Sequence, residues 1–391
     1  MDDLVVVGSV SENPFVEDIT HHLRQREHYS DLISLKSFLN KEFCPRFIVD
    51  EKSMDDIGNK LEDRTVLIIS TSNLEYSRDE LAMRNFLIAR AAKDNGARRV
   101  LLLEPDLYYS AQDRGPRPEH GCCSIVRDLN DYHKFDGQPF SSRLYAELLR
   151  MAGVDEVITV HNHSNSVITL FQDRFSGRFY NLQPYDIYAD YMAQGDLIRT
   201  DRLALCAPDK GAAPFVLEVQ RELKIRGVNA PYVLMDKERI GEREVNITIS
   251  PKSEISPSEL KGRDIVILDD MVRTGSTVVE CCHVLKQHSP LRVVFMVTHF
   301  YSSREGRINM DDPAVDEIVT TGTIPQILNR DVQGRLRHKL VVLRVARWIA
   351  SHVHRLCGPE GEEIKPPLYA EDMSSKNPRW KGKMGPLFSF K

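Results

Sequence analysis

Ile265-Val266-Ile267-Leu268-Asp269-Asp270-Met271-Val272-Arg273-Thr274-Gly275-Ser276-Thr277 decides how this chain is read. Its first four residues are apolar, the length and composition of a buried parallel strand. Two adjacent carboxylates stand where that strand is expected to end. Thr274, Gly275, Ser276 and Thr277 follow, and Val278 to Leu285 reads as a helix. A strand, a tight hydroxyl-bearing turn and a helix N-terminus make an anion site. Backbone N–H groups converge there, the helix dipole favours negative charge, and glycine permits close approach. Asp269 and Asp270 repel a phosphate but suit a sugar diol or a hydrated cation. The combination implies a phosphorylated sugar, with its phosphate in the turn and its ribose hydroxyls on the carboxylates. An ordinary polar βα turn would share parts of this pattern, but not the whole run.

Outward from this stretch, short apolar runs alternate with helical patterns. Strands are expected at 4–8, 65–70, 99–103, 156–160, 203–207, 232–235, 265–268 and 293–297. Helices are expected at 14–26, 79–95, 141–151, 212–226 and 277–288, with Gly96 and Gly153 as stops. This alternation predicts an α/β protein with parallel sheets flanked by helices. Residues 38–42 read as irregular. Residues 115–139, rich in Pro, Gly, Asp and His, read as a long polar insertion, and 357–391 as an extended, proline-bearing tail.

The 391 residues suggest two or three domains, and 41% hydrophobic residues supply substantial cores. A net charge of −5 gives no case for nucleic-acid binding. No apolar run approaches the roughly 20 residues of a membrane span, and the acidic start Met1-Asp2-Asp3-Leu4 does not read as a signal peptide. Seven cysteines, two adjacent pairs among them and no Cys-x-x-Cys, suggest reduced thiols and a cytoplasmic setting. Neither a P-loop nor a Gly-x-Gly-x-x-Gly element occurs.

The 269–277 loop resembles the phosphoribosyl-diphosphate (PRPP) binding loop shared by phosphoribosyltransferases and PRPP synthetases. Four further segments resemble PRPP synthetase (ribose-phosphate pyrophosphokinase), in the family's order. Tyr109-Ser110-Ala111-Gln112-Asp113-Arg114 is similar to an ATP-contacting element. Residues 139–144 with 152–163, ending His161-Asn162-His163, resemble a helix, a strand and a metal element. Ala207-Pro208-Asp209-Lys210-Gly211-Ala212 is similar to Ser-Pro-Asp-x-Gly-Gly, and Met235-Asp236-Lys237-Glu238-Arg239 to Asp-Lys-Arg-Arg. Thr323-Ile324-Pro325 also looks familial. The resemblance runs from about residue 3 to 356, leaving out the insertion and the tail.

The resemblance implies two phosphoribosyltransferase-like domains with the active site between them. An ATP-side domain is expected at 1–165 and a ribose-5-phosphate domain at 166–330, closed by a strand and helix at 331–356. Lys237 and Arg239 are then the catalytic cations, which stabilise charge on a transferring diphosphoryl group. Alternation along an extended segment lets both face the site while Glu238 points away. Phe38, Asn40, Glu42, Gln112, Asp113 and Arg114 become the ATP-side residues, with Phe47 and Glu51 as a rival register for the adenine element. Asp269, Asp270, Arg273, Thr274, Gly275, Ser276 and Thr277 hold ribose 5-phosphate. Magnesium is held by His163 and Asp209 together with the ATP phosphates. His161 and His163, two apart on a strand, would share a face, a pattern that taken alone also suggests zinc. The resemblance further implies a homo-oligomer built from dimers, a hexamer in many members, with no nucleic acid or membrane partner.

Departures from the family pattern are concrete. Ala111 stands for an ATP-contacting Arg, His161 for an Asp, Asn40 for an Asp, Arg273 for an Asp and Ala212 for a Gly. Two alternatives therefore stay open: a weak or silent synthetase-like regulatory protein, and a phosphoribosyltransferase that uses PRPP. The second needs the 269–277 loop but not the 109–114 and 235–239 segments.

Overall fold

A computed structural model describes residues 3–25, 27–49, 57–121, 127–194, 198–239, 245–358 and 363–372, with backbone alone at 238, 239, 245 and 246. The rival adenine residue Glu51 lies outside the described residues. The chain forms two compact units, 1–183 with 346–368, and 184–345 with 369–391.

The first unit contains β1 (Leu4–Gly8), α1 (Pro14–His22), α2 (Tyr29–Leu32), β2 (Ile33–Ser37), β3 (Phe43–Phe47) and β4 (Thr65–Ile69). It continues through α3 (Arg78–Asp94), β5 (Arg99–Leu103), α4 (Leu129–Phe135), α5 (Ser141–Ala152), β6 (Glu156–Val160), α6 (Asn165–Arg174) and β7 (Phe179–Leu182). Five strands form a wholly parallel sheet in the order β1-β4-β5-β6-β7. β1, β4 and β6 are buried along their whole length, as continuous apolar runs between covering layers require. α3 begins with a capping box, Ser77 and Glu80 each closing on the other's backbone.

The second unit contains α7 (Tyr185–Ala193), β8 (Leu203–Ala207), α8 (Ala213–Ile225), β9 (Tyr232–Arg239), β10 (Val245–Ile249), β11 (Asp264–Val272) and α9 (Ser276–Lys286). β12 (Arg292–Phe300), α10 (Arg304–Met310), β13 (Glu317–Thr321), α11 (Arg330–Gln333) and β14 (Leu340–Arg344) follow. α12 (Ala346–Cys357) packs on α1 in the first unit, and β15 (Ala370–Glu371) pairs with β14. The sheet order is β10-β9-β8-β11-β12-β13-β14-β15. From β8 the chain goes first to β9 on one side and later to β11 on the other. Such a reversal opens a crevice at the carboxyl ends of the strands, where open α/β sheets bind ligands.

The α/β class and the flanked parallel sheets agree with the sequence reading, with four corrections. β10 and β15 run antiparallel at the edges of the second sheet, where no crossover helix is needed. The division falls after Gln183, not after 165, because α6 and β7 complete the first sheet. The expected closing pair 331–356 is split, β14 joining the second unit and α12 the first. The 115–139 insertion is not wholly irregular, since α4 lies within it. Among the described residues no helix is long and apolar enough to cross a membrane.

Candidate active site

In the second unit the opening stretch folds differently from its reading in one respect. β11 does not stop at Leu268 but runs through both carboxylates to Val272, paired with β12 as far as Val272↔Phe300. Asp269 and Asp270 are thus held on a strand, more rigidly than on a loop. The turn comes at Gly275, whose φ of +77 suits glycine and which precedes α9. No side chain caps α9, unlike α3, α6 and α10, so its first-turn N–H groups stay available to an anion.

Three of the expected residues converge on this turn or on the carboxylates. Lys237 is exposed on β9, and its Nζ lies 3.4 Å from Thr277 Oγ1. Asp209, just past β8, accepts hydrogen bonds from the backbone N–H groups of Gly211 and Ala212 at 2.8 and 3.1 Å. Asp269 accepts one from the N–H of Asp270 at 3.0 Å. Burial first, then the charges of Asp270 and Asp209, hold the Asp269 carboxyl well above the usual range. The mutual repulsion of Asp209, Asp269 and Asp270 favours a ligand that brings hydroxyl donors or a metal. Arg273 is exposed. The Arg239 backbone lies in β9, but its side chain lies outside the described residues.

The sequence reading passed over a hydroxyl floor beside these acids. Tyr188 Oη lies 2.8 Å from Thr298 Oγ1, and burial, with a smaller contribution from the charge of Asp270, raises the Tyr188 phenol. Thr321 and Thr323 both donate to the Thr298 carbonyl, at 2.8 and 3.0 Å, and Thr323 Oγ1 lies 3.0 Å from His299 Nδ1. The available signal was the clustering of Thr at the ends of β12 and β13, of which only Thr323-Ile324-Pro325 attracted attention.

In the first unit Phe38, Asn40 and Glu42 occupy the exposed turn of the β2–β3 hairpin. Phe38 N–H donates to the Glu42 carbonyl at 2.9 Å, and Asn40 Oδ1 accepts from Glu42 N–H at 3.2 Å. The irregular stretch is therefore a closed turn displaying its side chains. Phe47, the rival stacking residue, is 2% exposed in the core and unavailable to a base.

Gln112 is exposed, while its neighbours are engaged within the protein. Asp113 Oδ2 accepts from Ser164 Oγ at 2.7 Å and its carbonyl from Ser166 Oγ at 2.5 Å, which fixes the start of α6. Arg114 donates to Asp131 Oδ1 at 2.9 Å and covers the Phe135 ring at 4.8 Å, so it anchors the insertion. His161 and His163 do not share a strand face. β6 ends at Val160, and His161 then takes a φ of +47 and is buried, whereas His163 is exposed. Among the described residues no group of three or more His, Cys, Asp or Glu side chains is arranged to enclose a metal ion.

The phosphoribosyl transferase domain model matches residues 185–328, which carry the turn, the acids and Lys237. The ribose-phosphate pyrophosphokinase of Methanobrevibacter smithii is 26% identical over 267 residues, 67% of this chain and 79% of its own length. That of Saccharolobus solfataricus is 26% identical over 322 residues, 82% of this chain and 93% of its own. The solved phosphoribosylpyrophosphate synthetase of Mycobacterium smegmatis gives a TM-score of 0.68 at 18% identity, covering 90% of this chain and 98% of that one, and so shares the fold. With its motifs in the family's order and these likenesses over most of its length, the chain is similar to the ribose-phosphate pyrophosphokinases (PRPP synthetases).

Proposed function

We propose that the protein transfers the diphosphoryl group of ATP to the anomeric hydroxyl of ribose 5-phosphate, giving PRPP and AMP. The observation that carries this reading is the approach of Lys237 to Thr277 at the turn that follows Asp269 and Asp270. A synthetase needs such a cation beside the sugar-phosphate cradle. Phosphoryl-type transfer depends on alignment and on neutralising spreading charge more than on covalent help. The turn from Thr274 to Thr277 takes the 5-phosphate, and Asp269 and Asp270 accept from the ribose diol. Bound this way, the sugar presents its anomeric hydroxyl for in-line attack on the β-phosphorus. Lys237 and Arg239 meet the charge that develops on the transferring group. Phe38 stacks on adenine, with Asn40, Glu42 and Gln112 as its polar neighbours.

Magnesium fits the donor set as a passenger on the nucleotide. This ion keeps several waters and takes one or two protein carboxylates beside phosphate oxygens, so it needs no enclosing cage. Asp209 would hold it in the second unit, and it would supply charge neutralisation on the diphosphate. A positive ion also offsets the crowding that raises the Asp269 carboxyl. Exposed apolar side chains on the first unit, Phe38, Leu39, Met83 and Leu87 among them, support a homo-oligomer. The reaction supplies nucleotide synthesis and belongs in the cytoplasm.

A weaker nucleotide site is the second reading. Asp113 and Arg114 are committed to α6 and to the insertion, which supports a member with altered ATP affinity. One assay separates these readings. Purified protein with ribose 5-phosphate, ATP and Mg²⁺ is expected to release AMP and PRPP. AMP absent at every substrate concentration points to the silent protein, and turnover only with PRPP and a base points to a phosphoribosyltransferase.

A further inference from the structure

We propose that Ser303 and Asn309 are positioning residues that aim the phosphate-binding turn, an inference resting on the ribose-5-phosphate reading of residues 274–277. Ser303 Oγ donates to the Arg273 carbonyl at 3.0 Å, and Asn309 Nδ2 donates to the Thr274 carbonyl at 2.9 Å. These are consecutive carbonyls immediately before Gly275. Both donors belong to one short element, Asn309 in α10 and Ser303 at its N-cap.

The peptide unit is planar and trans, so each N–H points opposite to the carbonyl in its own plane. Holding the Arg273 and Thr274 oxygens toward α10 therefore turns the N–H groups of Thr274 and Gly275 away from it. An anion at this turn needs donors, and a carbonyl rotated into the cradle would repel phosphate oxygens. Two further contacts fix the spacing. A Cβ on Gly306 would fall 2.6 Å from the Arg273 oxygen, and a Cβ on Gly275 would fall 2.7 Å from Met310 Sδ. α10 thus lies against the turn as closely as glycine backbones allow. The Ser303 hydroxyl has a second task, accepting from the Gly306 N–H at 2.9 Å, which caps α10 while its proton holds Arg273.

The test uses the full chain and compares Asn309→Leu, Ser303→Ala and Ser303→Thr with wild type. Asn309→Leu keeps most of the volume and removes the donor, and Ser303→Thr keeps the hydroxyl. Asn309→Leu and Ser303→Ala are each expected to raise the Kd and KM for ribose 5-phosphate about tenfold, the weight of one lost hydrogen bond to a site that must bind an anion. The KM for ATP stays unchanged, inhibition by phosphate-free ribose stays unchanged, and Ser303→Thr behaves as wild type. Equal weakening of both substrates with a lowered Tm, or unchanged ribose-5-phosphate affinity, overturns the positioning role. Wild-type protein that never saturates with ribose 5-phosphate overturns the functional reading itself, and this inference with it.

Discussion

Lys237 Nζ and Thr277 Oγ1, 3.4 Å apart, join an edge-side strand of the second sheet to the first turn of α9. The lysine lies two residues beyond the buried Met235 on β9 and is itself exposed, so it is not a packing residue. Replacing it by Ala should leave the fold intact. The expected loss is about 10²–10³ in kcat, the usual weight of one preorganised group that meets developing charge. Ribose-5-phosphate affinity should change much less. Rates of AMP release with a Kd for the sugar check both parts, and full activity in Lys237→Ala sinks the catalytic role.

Arg84 gives a prediction for the nucleotide side. Its guanidinium lies between the rings of Phe43 and Tyr76, at 3.8 and 4.5 Å, and its Nε donates to the Ser9 carbonyl at 2.8 Å. It therefore clamps the turn end of the hairpin, where Phe43 pairs with Ser37 next to Phe38. Arg84→Met keeps the aliphatic stem but loses the stacking cation and the donor. The expected result is a KM for ATP raised about threefold to tenfold, with ribose-5-phosphate KM unaffected. Equal changes in the two constants would show that the clamp serves general stability instead.

What was legible in the sequence follows from what short-range pattern encodes. The runs Leu4–Gly8, Val100–Leu103 and Leu203–Ala207 are continuous and apolar, and each forms a strand with the expected bounds, the second strand beginning one residue ahead of its apolar run, at Arg99. The turn at Gly275 was legible because glycine and hydroxyls carry a local conformational signature. The extension of β11 through Asp269 to Val272 was not, because two carboxylates at the end of a run read as an exit from the sheet. Pairing with β12 holds them in line, and only the tertiary register reveals that. The buried His161 was missed for a related reason, since a single positive φ reverses a side chain with no composition signal. The commitments of Asp113 and Arg114 depend on Ser164 and Asp131, far along the chain and invisible to motif matching.

The insertion should prove to be a built element. Arg127 donates to Asp131 Oδ2 at 2.6 Å and to the carbonyls of Gly115, Arg117 and His120 at 2.8 to 3.1 Å. Its side chain is 5% exposed, so its removal leaves Asp131 and several carbonyls short of donors. Arg127→Ala is expected to destabilise the chain locally by about 2–4 kcal/mol. Hydrogen exchange should show faster opening of α4, and limited proteolysis a new cut within 115–139. Because Arg114 shares Asp131, the variant should also alter the KM for ATP. An unchanged exchange pattern would mean that the insertion is not held by this arginine.

Glu104 supplies a prediction about pH. It is fully buried at the end of β5, and burial pushes its carboxyl up to about 8. Its Oε1 accepts from Asn85 Nδ2 at 3.0 Å and from Tyr145 Oη at 2.8 Å, and Oε2 accepts from Tyr108 N–H at 2.8 Å. Asn85 Oδ1 is buried without a hydrogen-bond partner. Turned end for end, that amide would accept the carboxyl proton, which gives the neutral acid a complete set of partners. The ordinary value for this group is 4.5. Between these two values the folded chain keeps the proton and the unfolded chain has lost it. The unfolded state thus binds fewer protons, so the unfolding free energy falls as pH rises. This contribution is fully present below about pH 4.5, declines across the interval and is lost above about pH 8, a change on the order of a few kcal/mol. Glu104→Gln removes the titration while keeping the shape. Chemical denaturation of wild type and variant between the two limits should show the wild-type stability sloping downward relative to the variant. Parallel curves would mean that Glu104 is already ionised inside the fold.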